Sequence, residues 1–188
     1  MRIVGGALRG RRLVAPEGKA VRPTADRARE GLFNILDHGA AFAGFSLSGA
    51  TVVDGFAGTG ALGLEALSRG AAHAVFLETD ADALKSLRRN IATLDQDDRA
   101  EVLVRDATRP GRAATPCALA LLDPPYKADL AAPALSALAE NGWFVDNGIA
   151  VVEHAAKETL APPEGFELLD QRRYGAAVFS FLRWLTNE

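Results

Sequence analysis

The sequence predicts an α/β fold with a doubly wound, mostly parallel sheet. From residue 51 onward, short apolar runs alternate with helical patterns, which is typical of parallel strands joined by helical crossovers. The runs are apolar throughout, as expected for strands that are buried on both faces. A glycine-rich turn directly follows the first run, and in doubly wound folds such a turn joins a strand to a helix beside a ligand.

The N-terminal residues precede this alternation. Short β-prone runs at 3–4 and 13–14 flank a stretch rich in Gly and Arg, which predicts a hairpin or a pair of loops. The following residues, up to Gly39, show helical spacing, with Thr24 as a plausible N-cap. We therefore expect a basic N-terminal extension over residues 1–23 and one main domain over residues 24–188.

The elements of the main domain follow from periodicity and from turn residues. Predicted strands lie at 51–53, 74–77, 102–104, 119–122 and 149–152, with predicted helices near 61–69, 84–94 and 130–141. Within the second of these helices, Leu84, Leu87, Ile91 and Leu94 fall on one face. Two β-rich runs around Tyr174-Gly175 predict a final hairpin.

Composition limits the class of protein. Apolar residues make up 48% and charged residues 24%, and neither a transmembrane run nor a signal peptide is recognisable. We therefore expect a soluble, cytoplasmic protein. Cys117 is the only cysteine, and the three histidines show no metal-ligand spacing, so we expect no metal.

Positive charge is concentrated at the N-terminus. Residues 1–30 carry eight basic and three acidic residues, a balance of +5, and because the whole chain has a formal charge of −3 the remainder carries −8. A basic block on an acidic body favours an anionic partner such as nucleic acid.

The glycine-rich turn contains Gly58, Gly60 and Gly63 in the spacing G-x-G-x-x-G. Glu78 follows the next predicted strand, at a spacing suited to accepting hydrogen bonds from ribose hydroxyls. These residues suit either a nicotinamide dinucleotide or S-adenosylmethionine. Asp54, directly before the turn, favours the second ligand, because an acid stabilises a cationic amino group and repels a pyrophosphate.

Acidic residues follow four predicted strands. They are Asp54, Glu78, Asp106 and Asp123. Carboxyl ends of parallel strands meet at one edge of a sheet, so we expect these side chains to line one site. Asp106 is placed to accept a hydrogen bond from an adenine amino group. Glu153 and His154 end the fifth predicted strand; Glu153 has no assigned role, and we favour a structural role for His154.

The tetrapeptide Asp123-Pro124-Pro125-Tyr126 follows the fourth strand. A carboxylate and a backbone carbonyl could accept the two N–H groups of an exocyclic amine and orient its lone pair. The prolines fix the backbone, and Tyr126 offers a ring for stacking a base. The tetrapeptide therefore indicates chemistry on an amino group, carried out by positioning and directed hydrogen bonds.

At this point the sequence resembles a known family. The stretches RIVGGALRGRRL, RPTADRAREGLFNIL, DGFAGTGALGLEALSRGA and LLDPPY, in this order, are similar to the bacterial 16S rRNA (guanine-966-N2) methyltransferases. These belong to the class I S-adenosylmethionine-dependent methyltransferases, which have a Rossmann-like, seven-stranded, mostly parallel sheet. The resemblance covers nearly the whole chain.

The resemblance implies S-adenosylmethionine as cofactor and 16S rRNA in a small ribosomal subunit as partner. It implies cofactor-binding roles for Asp54, Phe56, Gly58, Gly60, Glu78 and Asp106, and catalytic roles for Asp123, Pro124, Pro125 and Tyr126. It also implies rRNA-phosphate contacts for Arg2, Arg9, Arg11, Arg12, Arg22, Arg27 and Arg29. One domain with its own substrate-binding extension is compatible with a monomer.

Three other functions remain open. An amino-methyltransferase acting on DNA adenine or on a protein glutamine would use the same tetrapeptide, but it leaves the basic block unexplained. An NAD-dependent oxidoreductase would use the glycine-rich turn and Glu78 and would leave the tetrapeptide unexplained. A non-catalytic RNA-binding module would not need acids after four strands.

Overall fold

The structure is a computed structural model that describes residues 1–16, 23–125 and 129–186, and of residues 23–25 the backbone alone. Within these ranges the helices are α1 Pro23–His38, α2 Ala61–Ser68, α3 Ala81–Thr93 and α4 Ala131–Glu140. The strands are β1 Thr51–Gly55, β2 His73–Leu77, β3 Ala100–Leu103, β4 Cys117–Leu122, β5 Phe144–Ala155, β6 Phe166–Tyr174 and β7 Ala177–Trp184. None of the described helices is long and apolar enough to cross a membrane.

The strands form one seven-stranded sheet in the order β3-β2-β1-β4-β5-β7-β6. Strands β1 to β5 are parallel, whereas β7 pairs antiparallel with both β5 and β6. The predicted seven-stranded, mostly parallel sheet is therefore confirmed. Strand order reverses between β1 and β4, so ligands are expected at the carboxyl ends of these two strands.

Apolar strands separate two hydrophobic layers. On one face, Val52 and Phe76 pack with residues of α1, α2 and α3. On the other face, Val53 and Leu122 pack with α4 and Trp143. Burial of each such side chain contributes about 1.5–3 kcal/mol, which explains why the strand sequences are apolar on both sides.

Helix α3 shows how the predicted periodicity becomes structure. The four residues predicted to share its apolar face are all buried, namely Leu84, Leu87, Ile91 and Leu94. At its start, Asp80 Oδ1 accepts a hydrogen bond from the Ala83 N–H at 2.8 Å, as an N-cap residue does. This helix packs closely against the glycine-rich turn. Leu87 lies so near Gly60 that a Cβ on Gly60 would be 2.4 Å from Leu87 Cδ1.

The N-terminal segment, residues 1–16, forms an irregular hairpin against the main body. Arg2 and Arg12 form a single antiparallel bridge. Ile3 and Leu13 are 0% and 6% exposed and belong to the same core as α1. The helix α1 begins at Pro23, one residue before the predicted N-cap Thr24, and proline suits this first helical position because its missing N–H would lack a partner there. The division of the chain after residue 23 stays a prediction.

Candidate active site

A cavity of about 590 Å³ opens at the edge of the sheet where β1 to β4 end. This volume lies in the range of small-molecule sites. Its wall contains residues that follow each of the four strands, among them Phe56, Gly58, Glu78, Asp106, Asp123 and Pro124. A smaller cavity of about 200 Å³ adds Asp54 and shares Phe56, Gly58 and Asp123 with the first. The structure thus brings the four predicted acids together.

The glycine-rich turn presents backbone rather than side chains to this site. Gly58 has a φ of 56°, and a Cβ placed on it would approach only the Phe56 carbonyl oxygen, at 3.9 Å. Phe56 itself has a φ of 62°, a left-handed conformation that is uncommon for a bulky residue. Open space beside Gly58 lets a ligand approach the backbone closely.

The other two glycines of the motif serve packing. A Cβ on Gly60, which has a φ of 80°, would lie 2.4 Å from Leu87 Cδ1. On Gly63 it would lie 2.4 Å from Phe76 Cε1, because α2 crosses β2 closely there. Gly60 was predicted to bind cofactor; the structure gives it a packing role, and its cofactor contact stays a prediction.

Asp54 is 1% exposed and connects β1 to α2. Its Oδ2 accepts a hydrogen bond from the Gly63 N–H at 2.8 Å, in the first turn of that helix. Burial raises the pKa of Asp54 well above its ordinary value; the Gly63 hydrogen bond opposes this, and the nearby charges of Asp123 and Glu78 add to it. Asp54 therefore fixes the turn and also lies in the wall of the smaller cavity.

Glu78 links the end of β2 to the glycine-rich turn. Its Oε2 accepts a hydrogen bond from the Gly58 N–H at 2.7 Å. Its Oε1 accepts from the N–H groups of Thr79 and Asp80, at 2.7 and 2.8 Å. The carboxylate is therefore held in place at the cavity wall by three backbone donors.

Asp106 follows β3 and caps a turn. Its Oδ1 accepts hydrogen bonds from the N–H and the hydroxyl of Thr108, both at 2.8 Å. The residue is exposed and lies in the wall of the large cavity. This arrangement fixes the orientation of the carboxyl group beside the site.

Asp123 directly follows β4 and lines the large cavity. Strands β4 and β5 pair through Leu122 and Val152, so Asp123 and Glu153 are adjacent at the next position. Asp123 is open to the cavity, yet the surrounding protein desolvates its carboxyl group. This desolvation, together with the negative charge of Glu153, raises the pKa of Asp123 to about 7.

A third cavity, of about 230 Å³, lies beside the loop that follows β4. Pro124, Pro125, Leu130 and Glu153 line both this cavity and the large one. Pro124 and Pro125, at the described start of this loop, therefore lie between the two cavities. Tyr126, the predicted stacking residue, lies outside the described residues.

Glu153, Met1 and Pro16 line the site but were not predicted as site residues. Glu153 follows an apolar run just as the four predicted acids do, so the same reasoning could have selected it. Met1 and Pro16 line the smaller cavity beside Asp54. No sequence pattern connects them to the glycine-rich turn, because their contact arises only from tertiary packing.

His154 lines the third cavity and is also held within the sheet, so the structural role favoured for it stays a prediction. It is 6% exposed, and its Nε2 lies 2.8 Å from Ser180 Oγ in the neighbouring strand. Its other ring nitrogen lies 3.2 Å from the Ala155 carbonyl oxygen. Among the residues that the structure describes, no cluster of three or more potential ligands could hold a metal ion.

The predicted RNA-contacting arginines separate into two groups. Five of them are exposed, namely Arg2, Arg9, Arg11, Arg12 and Arg27. Arg29, in contrast, is 4% exposed; its Nε lies 3.5 Å from Glu65 Oε2, and its Nη2 lies 3.0 Å from Asp26 Oδ1. Arg29 is therefore corrected to a buried structural residue, because it compensates the wholly buried Glu65. Arg22 lies outside the described residues.

Comparison with known proteins places the chain in a family. A family model described as "Conserved hypothetical protein 95" matches residues 1–183. The chain belongs to this family. Within it, the chain is 36% identical to "Ribosomal RNA small subunit methyltransferase D" of Haemophilus influenzae, over 95% of this chain and 91% of that protein. The protein of the same name from Escherichia coli strain K12 is 38% identical, over 85% and 77%. The resemblance drawn from sequence motifs is thus confirmed.

Solved structures of family relatives have the same fold. The Escherichia coli protein yhhF superposes with a TM-score of 0.84 at 35% identity, covering 100% of this chain and 99% of that one. A Thermus thermophilus hypothetical protein gives 0.72 at 30% identity, covering 96% and 98%. The chain therefore has the Rossmann-like class I methyltransferase fold, and its match to yhhF includes the N-terminal segment.

Proposed function

We propose that this protein transfers a methyl group from S-adenosylmethionine to the exocyclic N2 of a guanine in 16S rRNA, the guanine-966 of the small ribosomal subunit. The observation that carries the proposal is the position of Asp123 and Pro124 in the same cavity wall as Gly58 and Glu78. The residues proposed to hold the target amine thus lie beside the residues proposed to bind the cofactor. The relatives from Haemophilus influenzae and Escherichia coli are named small-subunit rRNA methyltransferases, which supports the choice of substrate.

The residues present suit S-adenosylmethionine. The space beside Gly58 admits close approach of a ligand to the backbone. Glu78 and Asp106 supply carboxylate acceptors suited to ribose hydroxyls and an adenine amino group, and Asp54 lies where a cationic amino group would be stabilised. When bound, this cofactor supplies an electrophilic methyl group.

The chain's own contribution is to hold the target amine. The Asp123 carboxylate and the Pro124 carbonyl accept its two N–H groups, and the consecutive prolines fix the direction of that carbonyl. Positioning of this kind is a large part of catalysis when two reactants must meet in one geometry. With a pKa raised to about 7, Asp123 is also suited to receive the proton that the amine loses.

The exposed arginines are suited to bind rRNA phosphates. Arg2, Arg9, Arg11 and Arg12 lie on the N-terminal segment, and Arg27 lies on the adjoining helix α1. Phosphate contacts fix the orientation of the RNA without reading its sequence. The target guanine must leave its base stack to reach the cavity. A ribosomal substrate also places the enzyme in the cytoplasm.

Methyl transfer to small subunits tests the proposal. Small subunits lacking the modification are incubated with tritiated S-adenosylmethionine, and the labelled nucleoside is mapped. N2-methylguanosine at one site is expected, with at least tenfold slower transfer by Asp123→Asn and unchanged binding of S-adenosylhomocysteine by that variant. Label in a protein glutamine instead of rRNA, transfer to adenine in a parallel reaction with DNA, or binding of NAD in place of S-adenosylhomocysteine in calorimetry would overturn it.

A further inference from the structure

Asn90 connects two parts of the molecule that are distant in sequence. Its Oδ1 accepts a hydrogen bond from the Val14 N–H at 2.7 Å, and its Nδ2 donates to the Val14 carbonyl at 2.9 Å. The same Nδ2 donates to the carbonyl of Thr59, also at 2.9 Å. Thr59 lies between Gly58 and Gly60, so a single side chain links the N-terminal segment to the glycine-rich turn.

This link is buried and fully engaged. Asn90 is 1% exposed, and it lies on α3 among residues that otherwise form the apolar face of the helix. A buried amide is costly unless its hydrogen bonds are satisfied, and here both of its polar atoms have backbone partners. The cost of burying it is offset only while the segment and the turn keep this arrangement.

The residues on either side of Val14 reach the candidate site. Pro16 and Met1 line the cavity of about 200 Å³ together with Asp54 and Gly58. The Thr59 hydroxyl also lies 3.7 Å from Met1 Sδ. The N-terminal segment thus forms part of the wall of the cavity that Asp54 and Asp123 also line.

We propose that Asn90 is a positioning residue, which holds Met1 and Pro16 against the glycine-rich turn and so couples cofactor binding to the placement of the arginine-bearing segment. The inference rests on the proposed function, because it takes S-adenosylhomocysteine as the ligand. Coupling is reciprocal, so a ligand that is bound more tightly with the segment in place must also stabilise that placement.

Ser68 offers a matched control. It is 4% exposed and ties the same segment to the body, since its Oγ accepts from the Leu8 N–H at 2.9 Å and donates to the Gly5 carbonyl at 2.6 Å. It does not line either cavity of the site. Ser68→Ala therefore loosens the segment only around Gly5 and Leu8, and it leaves Asn90 in place between Val14 and Thr59.

Calorimetry with S-adenosylhomocysteine tests the inference in four proteins: wild type, Asn90→Ala, Asn90→Asp and Ser68→Ala, each with its thermal midpoint measured. Both Asn90 variants lack the donor to Thr59 and are expected to bind at least tenfold more weakly, whereas Ser68→Ala binds like wild type. Similar affinities in Asn90→Ala and Ser68→Ala overturn the inference. Failure of the wild type to bind at all would instead remove the proposed function.

Hydrogen exchange keeps the inference testable should the Asn90 variants not fold. The Val14 N–H donates a hydrogen bond to Asn90 Oδ1. In the wild type, saturating S-adenosylhomocysteine is expected to slow hydrogen exchange of this amide at least threefold. The Leu8 amide, held by Ser68, serves as internal reference and is expected to change less. If the ligand binds and the Val14 amide exchanges at the same rate with and without it, the two sites are not coupled.

Discussion

Asp123 and Glu153 lie side by side at the ends of neighbouring parallel strands, one position beyond the paired residues Leu122 and Val152. Both residues line the large cavity. Desolvation disfavours the ionisation of Asp123, and the negative charge of Glu153 acts in the same direction. The carboxyl group of Asp123, which is proposed to hold the amine, therefore titrates near neutral pH.

The rate of methyl transfer should rise with pH through the pKa of Asp123, about 7, because only the ionised carboxylate can receive the proton that the amine loses. Glu153→Gln removes a negative charge that raises this pKa, so its rate profile should shift to lower pH. Single-turnover rates measured at saturating cofactor provide the profile. Glu140→Gln, an exposed change on α4, should leave it unaltered. Superimposable profiles for Glu153→Gln and wild type would contradict the assignment.

Arg27 and Arg29, two residues apart on α1, should respond differently to truncation. Arg29→Ala removes one of the two arginines beside the buried Glu65, which keeps Arg69 Nε at 2.8 Å, and should lower the free energy of unfolding by about 1.5–3 kcal/mol. Arg27→Ala changes an exposed residue and should alter it by no more than about 0.5 kcal/mol. Urea unfolding measures both. A stability loss of equal size in the two variants would refute the correction made for Arg29.

The exposed arginines should determine the salt dependence of rRNA binding. In the double variant Arg9→Ala/Arg12→Ala, the slope of log K against log salt should become shallower by about 1.4–1.8, because each phosphate contact contributes about 0.7–0.9. Filter binding to small subunits at several salt concentrations gives the slope. Arg112→Ala, which removes an exposed charge beside His73 and Trp143, is the control. An unchanged slope in the double variant would exclude these two arginines from the interface.

Alanine at Gly58 and at Gly60 should separate ligand binding from packing. Gly58→Ala adds a methyl group in open space beside the cavity and should weaken S-adenosylhomocysteine binding at least tenfold, with a stability cost of about 1–2 kcal/mol from its positive φ. Gly60→Ala forces a methyl group against Leu87 and should destabilise the protein more. Calorimetry and urea unfolding measure the two effects. Wild-type affinity in Gly58→Ala would show that the ligand does not approach this backbone.

The sheet and its acidic edge could be predicted because each depends on local pattern. Strands buried on both faces need apolar residues, and parallel strands bring their following residues to one edge. Asp54, Glu78, Asp106 and Asp123 therefore meet in the structure as expected. Their ligand contacts stay predictions, since their position in a cavity wall does not identify what they bind.

The missed features depend on contacts between distant parts of the chain. Arg29 lies off the apolar stripe of its helix, which predicts exposure, but the partner that buries it is Glu65 on another helix. A fully buried glutamate has no signature in sequence. In the same way, Asn90 appears as an ordinary polar residue of α3 until Val14 and Thr59 are found beside it.

The burial of Ile3 and Leu13 in the core has a practical consequence for protein engineering. Residues 1–16 are not a detachable module, so a truncation would expose apolar surface and open the wall beside Asp54 at once. If this segment is exchanged between family relatives, the residues of the main domain that bind it have to be exchanged with it. Those partners are Glu65, Ser68 and Asn90, which bind its backbone at Val4, Leu8 and Val14.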